Sequence, residues 1–594
     1  MEYGVIGNCK SAALIDRRGK VVWCCLPDFD SASVFAEMLD SEKGGAFGID
    51  VDETYQVTQA YVPNTNLLRT LFESPSGGFE LIDFMPRHKE NSHYYSPPEL
   101  LRYLRRTYGN PICRVHYAPR LGYARHETFS ESHANYIKSL VREGVYESLY
   151  LYTNLPHDTI LEGTPIALEN EVYLLLSYHQ KVRPVTLERV VLEMERTKVY
   201  WLDWVERTAA FERWNDAVRR SALVLKLLAY QETGAIMAAI TTSIPEALGT
   251  GRNWDYRFCW IRDATMTLNM LTQLGHFNVA KNFFNYILRV VPYKDDEMQV
   301  MYGIHGNKHL TEQTLDWLAG YKGSGPVRIG NAAHSQRQHD IYGVFLNAIL
   351  KYLEVFSHDT TTIERLWTIT RSLARIVIRT WRQPDVSIWE FRTNPGHFTF
   401  SKMLCWVALD RSAKIADLLG MGSKTQLWRS ERDLIREDIF ANAWSENIGA
   451  FTQRYGRESL DASVLLMASY GFIEPTDARF IATVRKIRKE LCRDGLMFRY
   501  KDDDDFGTPT SSFTVCSFWM VKALWQIGER EEAEAMFIRL QSYANHLGLF
   551  SEDLDFATKE QLGNFPQGYS HLALIDCALT LGDKASGAPP LFAR

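Results

Sequence analysis

Long apolar runs are missing from this chain, and so are the short motifs on which phosphate, hydride and metal chemistry commonly rest. The most apolar stretches, such as Phe513–Leu524, are short and carry Lys522, well below the roughly 18 apolar residues of a membrane span. Met1-Glu2-Tyr3-Gly4 is not a basic start leading into an apolar run, so no secretory signal is expected. H-E-x-x-H, G-x-S-x-G, G-x-x-x-x-G-K-[ST] and G-x-G-x-x-G are all absent. Nine cysteines form no C-x-x-C pair, and Cys24 and Cys25 are adjacent, which is poor geometry for a mutual bridge. A cytoplasmic chain with reduced thiols is expected. His334 and His339 stand five apart, the wrong interval for two ligands on one helical face, so neither metal nor cofactor is expected. Positive charge is scarce as well. Net charge is −6, and the nearest approach to a basic patch is Arg102, Arg105 and Arg106, which argues against a nucleic-acid partner. The run Asp502–Asp505 reads as a solvated loop rather than a cation site.

What is present is the composition of a globular protein with a sizeable core: 46% hydrophobic and 23% charged residues, with 15 Trp. Tryptophan stacks well on sugar rings, but it also fills cores, and the core accounts for most of it. Two halves read differently. Up to about residue 195 the pattern is short β-type runs broken by turns. Ala12–Ile15 and Val21–Trp23 flank a glycine-bearing loop, and Phe79–Phe84 alternates with period two. Glu171–Leu176 and Val185–Leu187 continue the series. An antiparallel β-sandwich is expected over residues 1–198. A connecting helix rich in charge and Trp is expected at 199–218.

From there the period becomes helical. Phe283, Phe284, Ile287 and Leu288 are spaced i, i+3, i+4, as are Leu346, Ile349, Leu350 and Leu353. Roughly a dozen such segments suit a double-layered α-barrel over 219–582, with 583–594 as a loose tail. No short repeat supports a solenoid.

Three loop segments crowd carboxylates, Arg and aromatics together. In Gly251–Asp263, Arg262 and Asp263 can clamp vicinal sugar hydroxyls while Trp260 and Tyr256 wall the site; a helix-capping role for the Arg-Asp pair is the plainer alternative. In Val386–Arg392, Glu390 lies between Trp389 and Phe391. Poor solvation there favours its acid form, as a general acid near neutral pH requires; an ion pair with Arg392 is the alternative. In Leu547–Asp555 with Glu560–Gln567, several acids have few positive neighbours, and Glu552 can stay ionised there and activate water; a plain acidic loop is the commoner reading of such a segment taken alone. Inverting glycoside hydrolysis holds two carboxylates roughly 6.5–9.5 Å apart. Glu390 and Glu552 lie on loops of different helix pairs, which a barrel could gather at one end.

These segments, with Gly323–Asn331 and the opening Ile6-Gly7-Asn8 and Leu26–Ser31, resemble glycoside hydrolase family 15, the glucoamylase and trehalase-like enzymes, from near the N-terminus to about residue 582. The resemblance implies an N-terminal β-sandwich, a linker helix and an (α/α)6 barrel. It also implies Glu390 as general acid, Glu552 as general base, and Arg262, Asp263, Tyr256, Trp260 and Trp389 around the terminal glucose. Inversion to β-glucose, without cofactor or metal, follows from the same likeness. No starch-binding module is expected, which favours soluble or short substrates. The expected activity is exo-hydrolysis of malto-oligosaccharides, with α,α-trehalase as the rival and isomaltose-directed activity also open. A non-catalytic carbohydrate-binding relative and a helical interaction scaffold are the readings from other classes. Oligomeric state has no signature here.

Overall fold

The computed structural model describes residues 1–582 except Ser92, Arg183, Pro184, residues 292–297 and the side chain of Lys424. The tail expected at 583–594 lies outside the described residues.

The first half forms two antiparallel sheets. One runs in the order Tyr3–Gly7, Ala12–Asp16, Val21–Cys25, Ala46–Asp50, Ile112–Ala118, Ile166–Ala167, with Ser33–Phe35 pairing off Val21–Cys25. The other runs Thr128–His133, Tyr136–Val141, Ser148–Thr153, Val172–Tyr178, Glu99–Gly109, Gly77–Phe84, Leu68–Ser74, Gln56–Tyr61. The expected hairpin is present, turning at Gly19 with φ +80°, a conformation glycine adopts without steric cost. Arg102 does not belong to a basic patch. It is fully buried between the sheets, paired with Asp83 at 2.7 Å and donating to the carbonyls of Phe47 and Gly19. Strand pleating turned that position inward.

The connecting helix does not lie at 199–218. It spans Leu187–Glu206, capped by Thr186, whose hydroxyl accepts from Arg189 N. Val185–Leu187 is therefore the entry to a helix and not a further strand. Val190, Met194, Thr197, Trp201, Trp204 and Val205 form its buried stripe, the three-to-four spacing of an amphipathic helix. The next helix begins only at Asn215.

Eleven α-helices follow among the described residues. The helices Ile261–Gln273, Asp340–Val355, Thr399–Leu418, Thr514–Gln526 and Gly568–Leu581, with the short 3-10 helix Ala462–Leu466, form an inner ring. Each touches the next, and the last returns to the first. Thr399–Leu418 and Gly568–Leu581 are buried on nearly every side, as inner helices must be. Phe277–Val290, Thr360–Thr380, Gln426–Asn442, Ala478–Leu491, Arg530–Gln541 and Asn215–Leu227 pack outside them. The result is an (α/α)6 barrel in which one inner member is reduced to a 3-10 turn.

This topology positions the site. Trp260 precedes the first inner helix, Asp340 starts the second, Glu390 precedes the third and Asp461 caps the fourth. Asp504 and Phe513 precede the fifth, and Glu552 and Gln567 the sixth. No described helix is long and apolar enough to cross a membrane.

Candidate active site

A cleft of about 860 Å³, open mouth included, is lined by Tyr256, Trp260, Arg262, Asp263, Glu390 and Glu552, with Trp389 also in its wall. All seven residues expected from the sequence therefore meet in one place.

The segment Gly251–Asp263 is held from two sides. Asp255 accepts from Arg257 Nε and Nη2 at 2.9 and 2.7 Å, and Arg257 reaches the Ser31 carbonyl of the sandwich at 2.9 Å. From Gly323–Asn331, Arg328 donates to the carbonyls of Gly251 and Asn253, while Asn253 donates back to Ser324 O. The N-cap of this helix is Trp260, whose side chain makes no cap bond, and Asp263 lies in the first turn. Arg262 bridges Asp263 at 3.0 Å and Asp340 at 3.4 Å, with Glu390 Oε1 3.9 Å away. One buried guanidinium thus compensates two buried carboxylates, without which their charges would be poorly tolerated.

The two glutamates are joined through the aromatic wall. Tyr256 Oη donates to Glu552 Oε1 at 2.6 Å, and the Tyr256 ring packs edge-on against Trp260, centroids 5.1 Å apart. Trp260 Nε1 donates to Glu390 Oε1 at 2.8 Å. Glu390 is not paired with Arg392, which ion-pairs with Glu312 at 3.0 Å instead. Glu390 sits at φ +62°, a left-handed conformation rare for a side-chain-bearing residue and found where surrounding structure enforces it. Trp389 holds the preceding position by donating to Asp461 at 2.8 Å.

Burial raises the Glu390 carboxyl above its ordinary range, opposed by Arg262 and by hydrogen bonds from Trp260 and Gln338. Glu552 departs from the sequence expectation. Burial first, then the Glu246 charge, pushes it up to about 8, against hydrogen bonds from Tyr256 and the Asn564 amide and the charge of Arg499. The acids of its own segment were legible, but Glu246, more than three hundred positions away, was not. Glu246 is itself paired with Arg499 at 2.9 Å.

Further cleft residues escaped the sequence reading. Gln567 and Tyr569, at the start of the last inner helix, line the cleft, and Gln567 Oε1 and Tyr569 Oη are buried without a hydrogen-bond partner among the described residues. Gln567 lay within the quoted motif but carried no assigned role. The run Asp502–Asp505 is not simply solvated: Asp504, Asp505 and Phe506 line the cleft, and Arg252 grips both oxygens of Asp504 at 2.8 and 2.6 Å. Among the described residues no group of three or more His, Cys, Asp or Glu could hold a metal ion.

Comparison with known proteins gives the same picture. Residues 212–579 match the model of glycosyl hydrolases family 15, and residues 2–142 that of the trehalase-like N-terminal domain. A trehalase of Mycolicibacterium smegmatis is 37% identical over 613 residues, covering 97% of this chain and 90% of its own. A trehalase of Thermoplasma volcanium is 33% identical, with 97% and 92% covered. Trehalase 2 of Sulfolobus acidocaldarius is 32% identical, with 97% and 98% covered. A bacterial glucoamylase complexed with acarbose superposes with a TM-score of 0.72 over 97% of this chain and 93% of its own; at 13% identity this likeness concerns the fold. The chain belongs to glycosyl hydrolases family 15 and is a glycoside hydrolase.

Proposed function

We propose that this protein is an inverting α,α-trehalase in which Glu390 is the general acid and Glu552 the general base. The observation that carries the reaction type is the continuous path Glu552–Tyr256–Trp260–Glu390 along one cleft wall. The choice of trehalose over the malto-oligosaccharides expected from sequence rests on the full-length similarity to trehalases.

In this proposal Arg262 and Asp263 hold one glucose, and Tyr569 Oη and Gln567 Oε1 meet two of its hydroxyls. Protonated Glu390 gives its proton to the glycosidic oxygen, which leaves with the electron pair of the broken bond. Glu552 takes a proton from a water molecule whose oxygen bonds the anomeric carbon from the opposite face. The attacked ring becomes β-glucose and the departing ring keeps its α configuration. Glu552 must be ionised to act. Tyr256, the Asn564 amide and Arg499 all favour that form, and turnover should climb as pH rises toward its titration.

The division into sandwich, linker and catalytic barrel is part of this reading, with the linker at Leu187–Glu206. The nine unbridged cysteines support a cytoplasmic location. The purified chain should be assayed on trehalose, maltose, maltotriose and isomaltose. Trehalose should give the highest kcat/KM; a preference for maltotriose would restore the glucoamylase-like reading, and sugar binding without turnover of any of them the non-catalytic one.

A further inference from the structure

The acidic run Asp502–Asp505 has no part in the mechanism above, yet its last carboxylate reaches the loop that carries Glu390. That loop is closed at its base, where Asp385 and Gly396 exchange backbone hydrogen bonds of 3.0 and 2.9 Å. Its upstream limb is pinned through Trp389 to Asp461. Its downstream limb has a different anchor. Asp505 Oδ2 accepts from Arg392 N at 2.5 Å, and Oδ1 accepts from Thr393 N at 3.0 Å and from the Thr393 hydroxyl.

Asp505 is itself on a rigid mount. Its neighbour Asp504 is held by both arms of Arg252 and by Tyr500 Oη at 2.6 Å, and Arg252 also donates to the Gly507 carbonyl at 2.6 Å. The Arg392 guanidinium lies over Trp254 at 4.4 Å and Phe506 at 5.9 Å, so the two loops are stacked as well as bonded.

Glu390, two residues before Arg392, holds a backbone conformation that persists only when its surroundings enforce it. Glu390 N donates to Ser387 O and Gln336 Nε2 to Glu390 O, both at 3.2 Å, and the two amides immediately downstream, both received by one carboxylate, add to that enforcement. We infer that Asp505 is a positioning residue for the catalytic acid, pinning Arg392 and Thr393 so that Glu390 is presented to the glycosidic oxygen. Without it the left-handed turn relaxes and the Glu390 carboxyl leaves the reach of Trp260.

This inference rests on the assignment of Glu390 as acid, and its test uses the leaving group. Fluoride departs from α-D-glucosyl fluoride with little protonation, whereas the second sugar of a disaccharide needs the acid. Asp505→Ala should lower kcat on trehalose by roughly 10- to 100-fold, a fraction of the 10²–10⁴ that a general acid contributes. KM should stay within about twofold, and kcat on the fluoride within about threefold. Asp505→Asn, which keeps one carbonyl acceptor, should recover part of the loss. Equal losses on both substrates, or a loss confined to KM, would overturn the inference in favour of a role in the loop alone. Maltose can replace trehalose in the ratio. A wild-type chain inert on trehalose but active on maltose would count against the substrate reading and leave the positioning role to be judged by the same ratio.

Discussion

The hydroxyl of Tyr256 stands 2.6 Å from Glu552 Oε1 and donates to it. A donor favours the carboxylate over the acid, so this bond opposes the burial that raises Glu552. With the Asn564 amide and Arg499 it favours the ionised form of Glu552, which the proposed role as base requires.

Tyr256→Phe should therefore lower kcat/KM roughly 10-fold or more, in line with hydrogen bonds to charged groups of about 1.5–3 kcal/mol. Loss of the donor raises Glu552 further, so the acid limb of the pH profile should move to higher pH. A pH series of kcat/KM for both proteins checks this. An unmoved limb would detach Tyr256 from the group that titrates there.

Glu390→Gln and Glu552→Gln should both fold and lose nearly all turnover of trehalose. Their stabilities should differ in a pH-dependent way. Glu552 sits at about 8 in the folded chain against an ordinary 4.5. Folding therefore takes up a proton between those values. The stability this group contributes is complete below about pH 4.5 and lost as pH rises through about 8. Gln cannot ionise, so Glu552→Gln should gain melting temperature over wild type progressively from pH 5 to 8. Thermal melts across that range decide it; parallel curves would place Glu552 in a better-solvated setting.

Tyr569→Phe removes a buried hydroxyl that has no partner among the described residues. The unliganded protein should lose no thermal stability, because an unsatisfied buried group is itself costly. Its affinity for glucose or a glucose-shaped iminosugar should fall about 3- to 10-fold. Calorimetry that finds equal affinities would remove Tyr569 from the sugar site.

Arg262→Ala leaves Asp263 and Asp340 buried beside no guanidinium. Breaking such a buried arrangement costs roughly 3–5 kcal/mol, which urea denaturation would register. Arg262→Lys should recover part of the stability, since one ammonium replaces the charge but not the fork that reaches both carboxylates. A loss below about 1 kcal/mol in the alanine variant would mean those acids are solvated or protonated.

Local signals in the sequence identified the barrel helices. The spacings at Phe283–Leu288 and Leu346–Leu353 lie in Phe277–Val290 and Asp340–Val355. All seven expected site residues line the cleft, because the chain places each in the first turn of an inner helix or in the loop that leads into one. Local pattern failed where two patterns compete, as at Val185–Leu187, where the β-branched start of a helix imitates a strand until Thr186 is seen to cap it. It failed again where meaning comes from a distant partner. Arg252 and Asp504 are 252 positions apart, and nothing in Asp502–Asp505 itself says that its last two residues line a cleft. Glu246 and Tyr569 were silent for the same reason: their roles exist only once the barrel brings six helix entrances together.

The most direct measurement follows the anomeric protons by NMR in the first minutes of trehalose hydrolysis, before mutarotation. One α-glucose and one β-glucose should appear per molecule cleaved. Appearance of α-glucose alone, or no glucose at all, would contradict an inverting trehalase built on Glu390 and Glu552.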